Sequence, residues 1–187
     1  MSALRQAQGK AARRASNQIL PDYVRPRLDV VFVGINPGLA SAARGHHYAG
    51  PGNHFWSLLC EADFVPERLS YEDDWRTPEY GIGLTNLVDR PSRGSAELSR
   101  EELEAGAARL REKLGRYRPR VVCFNGKLIY EVFAGRRCQL GLQPERWEGM
   151  LMYVMPSTSP RTASYQRDDK LRFLRELKRI VDREAGV

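Results

Sequence analysis

Short apolar runs alternate with longer amphipathic segments along most of the chain. The run from Leu28 to Val33 ends at a cluster of turn-forming residues, Gly-Ile-Asn-Pro-Gly, and this pattern predicts a buried strand. Similar runs lie before Asp89, before Asn125-Gly126 and within the segment MLMYVMPSTSPR. Each predicted strand therefore ends in a polar loop.

Amphipathic segments with helical spacing lie between these runs. The clearest helix is capped by Ser99 and Glu102, which have capping-box spacing, and its apolar stripe consists of Leu103, Ala107, Leu110 and Leu114. Other helices are predicted from about Asn53 to Ala62, between Gly126 and Gly135, and from Asp168 onward, where one face carries Leu171, Leu174, Leu177 and Val181.

Alternating strands and helices predict an α/β fold of three layers, in which a mainly parallel central sheet is flanked by helices. Parallel strands bring their carboxyl ends to one edge of the sheet, and ligands bind at that edge. The loops expected there are Asn36-Pro37-Gly38, Asn86 to Arg90, Asn125-Gly126-Lys127 and Ser157 to Arg161. We expect them to line a single cleft.

The length and charge of the chain indicate one basic domain. Its 187 residues carry a formal net charge of +7, which favours a polyanionic partner. We expect a single domain over residues 21–187 and a basic, flexible tail over residues 1–20, where the cations Arg5, Lys10, Arg13 and Arg14 precede the first acidic residue. The tail is either a solvated end or a nonspecific phosphate-binding arm.

Membrane and metal sites are not predicted. No apolar run is long enough to span a bilayer, and the chain starts without the apolar stretch of a signal peptide. We therefore expect an intracellular protein, in a bacterium a cytoplasmic one with access to nucleoid DNA. Cys60, Cys123 and Cys138 lack the C-x-x-C spacing of zinc and iron–sulfur sites.

The glycine-rich loop after the first strand allows two interpretations from its residues alone. Gly34 and Gly38 let the backbone turn sharply beside Asn36 and leave amide groups open to a ligand. Such a turn can cradle a phosphate, although neither G-x-G-x-x-G nor G-x-x-x-x-G-K-[ST] occurs in the chain. A noncatalytic nucleotide- or nucleic-acid-binding module is therefore the alternative to an enzyme.

Several segments resemble the thymine-DNA glycosylase and mismatch-specific uracil-DNA glycosylase family, in the order GINPGLASAARGHHYAGPGNHFW, YGIGLTNLVDRP, VVCFNGKLIYEVF, LGLQP and YVMPSTSPR. The resemblance runs from about Asp29 to Lys178. It implies a uracil-DNA glycosylase-like fold without metal or cofactor, and a monofunctional enzyme that hydrolyses the N-glycosidic bond of uracil, thymine or etheno-cytosine opposite guanine. The expected partner is double-stranded DNA with a G·U or G·T mismatch, bound by a monomer.

Two residues are predicted to be catalytic. The resemblance makes Asn36 the residue that positions the attacking water, and an amide does not take up a proton at neutral pH. Without the resemblance, Asn36 reads equally well as a turn residue ahead of proline. Because several relatives carry aspartate at this position, we look for another proton acceptor, and Asp89 is the only carboxylate in the four loops. The alternative for Asp89 is a salt bridge with Arg90 or a turn cap.

A second group is predicted to bind the flipped base. Tyr48 matches the stacking aromatic of the family, and its alternative is a core position. Asn53 and Asn86 are suited to the edge of a pyrimidine, although Asn53 is equally suited to cap its helix. Backbone amides near Ile35 are predicted to stabilise the departing base. Gly34 and His47 complete the predicted pocket.

The loop after the last apolar run matches the segment with which the family enters the DNA minor groove. Arg161 is the predicted plug for the gap left by the flipped nucleotide, and the loop is shaped by Ser157, Thr158, Ser159 and Pro160. The alternative for Arg161 is a solvated arginine. Contacts to DNA phosphates are a further expectation for Arg167, Lys170 and Arg172, against the alternative of a solvated helix face.

Overall fold

A computed structural model describes residues 19–162 and 164–186 of the protein. Most of the predicted basic tail, residues 1–18, lies outside the described residues. Of the remaining two residues of that tail, Ile19 is exposed and Leu20 is buried. Leu20 therefore packs with the domain and does not behave as part of a free tail.

The central sheet has five strands, which are β1 (Val30–Gly34), β2 (Ile82–Asn86), β3 (Val121–Asn125), β4 (Gly141–Leu142) and β5 (Leu151–Met155). Their order across the sheet is β2-β1-β3-β5-β4. The pairs β1–β2, β1–β3 and β3–β5 are parallel, and the short edge strand β4 is antiparallel to β5. The four predicted strands are thus parallel, and their carboxyl ends share one edge as expected.

The α-helices are α1 (Leu39–Arg44), α2 (Phe55–Glu61), α3 (Arg100–Tyr117), α4 (Lys127–Ala134) and α5 (Arg167–Ala185). Two 3-10 helices span Tyr71–Tyr80 and Ser95–Glu97. The capping box of Ser99 and Glu102 at the start of α3 is confirmed. Among the described helices, none is long and apolar enough to cross a membrane.

Alternation along the strands builds a core on each face of the sheet. In β1, Val30 and Phe32 belong to the core that includes α2 and α5, whereas Val31 and Val33 belong to the core that includes α3 and α4. The sheet is therefore covered by helices on both faces, which confirms the predicted three-layer α/β fold. The site lies where the strands leave this covered region.

Candidate active site

The β1 and β2 edge of the site is held by backbone pairing that continues beyond the two strands. Leu87 N donates to Gly34 O at 2.8 Å, and Val88 N donates to Ile35 O at 2.9 Å. Ser92 N then donates to Pro37 O at 3.1 Å. The glycine-rich loop is consequently an extension of the sheet with one fixed path, and its side chains have defined directions.

The amide of Asn36 is oriented by this second segment. Its Nδ2 donates to Arg90 O at 2.8 Å and to Ser92 Oγ at 2.8 Å. Ser92 Oγ in turn donates to Gly94 O at 2.8 Å, so the hydroxyl proton is committed and the oxygen accepts from Asn36. Both amide hydrogens are used, and within the described residues the Asn36 oxygen has no partner. Asn36 is half-buried, and an amide oxygen of fixed direction is an acceptor for a water molecule.

Sequence reasoning did not find Ser92, which determines which way the Asn36 amide faces. It is buried and lies beside the loop because Gly38 and Ser92 form an isolated parallel bridge. Its residue number is 56 away from that of Asn36, and no spacing rule connects two residues that far apart. Continued pairing of β1 with β2 is the structural feature that brings them together.

Asp89 faces α3. Its Oδ2 lies 3.9 Å from Arg109 Nη2, and both side chains are about half exposed. Arg90 instead pairs with Glu102, at 2.5 Å from Nε to Oε1, so the alternative of an Asp89–Arg90 salt bridge is wrong. Asp89 lines a cleft of about 300 Å³ together with Asn86 and α3, and Asn36 is not among the residues that line it. The catalytic role of Asp89 stays a prediction.

Tyr48, Asn86 and Gly34 meet at one point. A Cβ atom placed on Gly34 would lie 2.5 Å from Asn86 Oδ1, too close for that oxygen to keep its position, and 3.5 Å, an ordinary contact distance, from the Tyr48 hydroxyl. The Tyr48 ring stacks on Phe55 with centroids 3.9 Å apart. Its hydroxyl is buried close to the Asn125 side chain, and burial raises the pKa of Tyr48, an effect larger than the lowering of that pKa by Asn125. The hydroxyl is therefore protonated at neutral pH.

The turn that carries Tyr48 is fixed by a buried carboxylate. Asp74, in the longer 3-10 helix, accepts from His47 N at 2.8 Å and lies 3.0 Å from His46 Nδ1. Tyr48 itself has a positive φ of 53°, which is uncommon for a residue with a side chain. The contacts of Asp74 with the two preceding residues help to hold this conformation.

His47 supports the turn through its own contacts. Its Nε2 lies 2.8 Å from Pro21 O, and its carbonyl accepts from Trp56 Nε1. Burial lowers the pKa of His47 because the imidazolium loses its hydration. The ring is thus neutral and bound to the N-terminal segment.

The predicted capping role of Asn53 is present. Its Oδ1 accepts from Phe55 N at 3.0 Å, at the start of α2. The helix begins two residues later than predicted, and its N-cap residue is His54, which makes no side-chain capping bond. The Asn53 oxygen is engaged with the helix, and the proposed contact with a base rests on its NH2 group.

The loop from Ser157 to Arg161 follows β5 and lies at the same sheet edge, on the side away from β2. Thr158 is buried, Ser157 and Ser159 are half-buried, and Pro160 and Arg161 are exposed. A Cβ atom on Gly94 would lie 3.6 Å from Arg161 Nη1, and one on Gly52 would lie 3.5 Å from Pro160 Cβ. The loop thus reaches the segment after Ser92 and the segment before α2.

The three cations of α5 that were expected at DNA phosphates have different environments. Arg167 pairs with Glu61, and Arg172 lies 3.5 Å from Asp169. Lys170 is 1% exposed and donates from Nζ to Ser159 O at 3.1 Å. The expectation of a phosphate contact is wrong for Lys170, because its ammonium group is directed into the protein. Within the described residues, no group of His, Cys, Asp and Glu is arranged to hold a metal ion.

Comparison with known proteins gives the same family from sequence. The family model of the uracil DNA glycosylase superfamily matches residues 21–180. The chain is 37% identical to a G/U mismatch-specific uracil DNA glycosylase of Schizosaccharomyces pombe, over 82% of this chain and 50% of that protein. The chain therefore spans about half the length of this curated relative.

A solved structure agrees with the fold. The solution NMR structure of a protein from Methanosarcina acetivorans, provisionally named a uracil DNA glycosylase, matches with a TM-score of 0.59. The match covers 87% of this chain and 98% of that one at 22% sequence identity. At this identity the likeness concerns the fold alone, and it supports the three-layer α/β architecture.

Proposed function

We propose that this chain, which belongs to the uracil DNA glycosylase superfamily, excises uracil opposite guanine from double-stranded DNA and leaves an abasic site. The observation that carries the proposal is the Asn36 amide, whose NH2 group is fixed by Arg90 O and Ser92 Oγ while its oxygen stays available. A module that only binds nucleic acid does not need an amide oxygen held in this way. The name of the relative from Schizosaccharomyces pombe supports the same substrate.

Base flipping comes first in the proposed reaction, because the bond to be cut is out of reach inside the duplex. The flipped uracil stacks on the face of Tyr48 opposite Phe55, a contact worth about 1–3 kcal/mol. The Asn86 amide, which lies beside Tyr48 across Gly34, donates to and accepts from the edge of the base. Thymine and etheno-cytosine are candidate substrates of the same pocket.

Hydrolysis then takes place at C1′ of the sugar. The Asn36 oxygen accepts a hydrogen bond from a water molecule and holds it against C1′. The C1′–O bond forms while the C1′–N1 bond breaks, and the electron pair of that bond leaves with uracil. Backbone amides near Ile35 stabilise the negative charge on the base. Because an amide does not take up the water's proton, another acceptor is needed, and Asp89 is the candidate.

The loop from Ser157 to Arg161 completes the proposed cycle on the DNA side. Arg161 is exposed at the end of the loop and enters the gap that the flipped nucleotide leaves, while unstacking is offset by the added contacts. The positive net charge of the chain favours the approach of DNA.

The test is excision from a labelled duplex that contains one G·U mismatch. After incubation with the purified protein, alkali converts each abasic site into a strand break, which is counted by electrophoresis. We expect breaks at the uracil alone, none in a matched G·C duplex, and very few with Asn36→Ala. Binding of the mismatch without breaks, at protein in excess over DNA, would instead identify the noncatalytic module.

A further inference from the structure

Thr158, at the centre of the loop from Ser157 to Arg161, is held by the side chain of Asn125. The Asn125 oxygen accepts from Thr158 N at 2.9 Å, and the Asn125 Nδ2 donates to Thr158 Oγ1 at 2.9 Å. Asn125 is 6% exposed and Thr158 is fully buried, so water does not compete for either bond. The carbonyl of Thr158 also accepts from His54 N at 3.2 Å. One amide at the end of β3 thus fixes two polar atoms of the loop.

Lys170, in helix α5, bonds to Ser159, the residue of the loop that follows Thr158. Its Nζ donates to Ser159 O at 3.1 Å, and within the described residues its ammonium forms no ion pair. The following residue is Pro160, so the peptide bond that Lys170 contacts has no N–H group of its own. The Ser159 carbonyl also accepts from Thr162 N at 3.2 Å, a bond within the following turn, so the bond from Lys170 is the one that joins this carbonyl to a helix.

The position of Lys170 is costly for a cation. Burial lowers the pKa of Lys170, and the residue stands in the first turn of α5, where the helix dipole also disfavours positive charge. Lys170 and Arg167 both lie near His54, whose pKa is lowered first by desolvation and then by these two cations. An uncharged side chain such as methionine would fill the same space without these costs. Packing alone does not explain a lysine here.

We propose that Asn125 and Lys170 are positioning residues, which do not touch DNA but hold the loop in the shape that enters the gap left by a flipped nucleotide. The inference rests on the proposed function, because it assigns the loop to the DNA. Asn125 holds Thr158, and Lys170 holds Ser159. The next two residues, the exposed Pro160 and Arg161, therefore keep one position at the edge of the sheet.

The experiment compares Lys170→Met and Asn125→Ala with matched controls. Lys178→Met removes a lysine of the same helix that pairs with Asp182, and Gln143→Ala removes a buried amide that donates to backbone carbonyls away from the site. Single-turnover excision is measured on a G·U duplex. Affinity is measured for a duplex with an abasic site opposite guanine and for an intact duplex, and Arg161→Ala serves as the reference for a lost plug.

Both positioning variants are expected to lose about tenfold or more in excision rate, since a shift of about 1 Å in a positioned group is enough for such a loss. They are also expected to lose the preference for the abasic duplex, which is the result expected for Arg161→Ala. The two controls keep both properties. The melting temperature of Lys170→Met is expected to stay constant or rise, because a buried charge is removed. Loss of activity without loss of stability separates positioning from a structural role.

The outcomes decide the two proposals separately. A wild-type protein that neither cuts the G·U duplex nor prefers the abasic duplex contradicts the proposed function itself. A wild type that does both, with Lys170→Met indistinguishable from Lys178→Met, overturns the positioning role. The role is equally overturned if Lys170→Met melts far below the wild type, since the ammonium then supports the fold. If Asn125→Ala does not fold, Thr158→Val removes the hydroxyl partner alone and replaces it in the comparison.

Discussion

The two halves of the candidate site are held in different ways. At the β1 and β2 edge, main-chain hydrogen bonds from Leu87, Val88 and Ser92 continue the pairing of the strands, and Asn36 is placed by the backbone that carries it. The loop after β5 depends largely on two side chains, Asn125 and Lys170. Apart from Ser92, whose hydroxyl orients the Asn36 amide, the first half should therefore tolerate changes to side chains that do not react, whereas the second should lose its shape through single substitutions.

Asn36→Ala should produce the largest effect in the first half. We expect the single-turnover rate on a G·U duplex to fall by about 100-fold or more, because the water loses its acceptor, while the backbone pairing and melting temperature persist. Asp89→Asn tests the candidate proton acceptor, whose carboxylate contacts Arg109 rather than the Asn36 amide. If Asp89 accepts the proton of the attacking water, the rate should fall by about tenfold or more at unchanged melting temperature. A change of less than about threefold would exclude Asp89 from the reaction.

Gly106→Ala tests whether helix packing keeps the backbone of this edge in place. A Cβ atom on Gly106 would lie 2.3 Å from Leu87 O, a backbone atom that cannot rotate away. Alanine is favoured over glycine within a helix by about 1 kcal/mol, but the clash forces α3 away from the sheet. We expect a net loss of about 1–3 kcal/mol in the free energy of unfolding, measured by urea denaturation.

Gly115→Ala is the control in the same helix. Its Cβ atom would lie 3.3 Å from Glu148 Oε2, the end of a flexible side chain that is able to move. We expect no loss of stability, and a gain of up to about 1 kcal/mol is consistent with helix propensity. Equal destabilisation by both substitutions would show that the approach of Gly106 to Leu87 has no special role.

Gly34→Ala tests whether the pocket depends on the position of the Asn86 amide. The new methyl group meets Asn86 Oδ1, which is able to rotate away, so the fold is retained but the amide leaves its place beside Tyr48. We expect about a tenfold loss of excision rate, equivalent to about 1.4 kcal/mol, with little change in melting temperature. Gly38→Ala, in the same loop, has open space around its Cβ position and should excise normally. A similar loss in both variants would assign the effect to the loop backbone.

The sequence was sufficient to predict the parts of the fold that follow a local pattern. The four parallel strands and the capped helix α3 have apolar runs or capping spacing, and both are present. Strand β4 has two residues, too few for an alternating pattern. The 3-10 helix Tyr71–Tyr80 lacks a helical apolar stripe and contains Pro78, which argues against an α-helix. Helix α1 lies in a segment that its glycines and prolines mark as loop.

The candidate site was predictable where a motif names its residues and not where distant residues support them. Asn36, Tyr48 and Asn86 follow from motifs, and Tyr48 and Asn86 do meet at Gly34. The bond from Asn125 to Thr158 joins residues 33 apart, which no periodicity reveals. Lys170 is predicted to behave like Arg167 and Arg172, because nothing in the sequence of α5 shows that it is buried and bonded to the loop after β5. Supporting contacts of this kind depend on the tertiary fold.

Glu102→Gln should have the smallest effect, and it concerns the segment that orients Asn36. Arg90 binds the Glu102 carboxylate, and this bond together with the capped Ser99 N lowers the pKa of Glu102 from about 4.5 to about 2. A carboxyl with a lowered pKa in the folded state contributes stability above its unfolded pKa and loses it as the pH falls toward the folded value. The melting temperature of Glu102→Gln should therefore lie slightly below that of the wild type at pH 7.

This difference in melting temperature should narrow as the pH falls from about 4.5 toward about 2, because the wild-type carboxyl then takes up its proton. Glu104→Gln is the control, since its partner Arg100 is exposed on the same helix and neither residue contacts the segment after β2. The melting curve of this control should follow the wild type at every pH.

Excision by Glu102→Gln should stay within about twofold at pH 7, because Asn36 binds the carbonyl of Arg90 and the backbone pairing holds that carbonyl without the salt bridge. A large loss of excision at pH 7 would mean that this edge, like the loop after β5, depends on side chains.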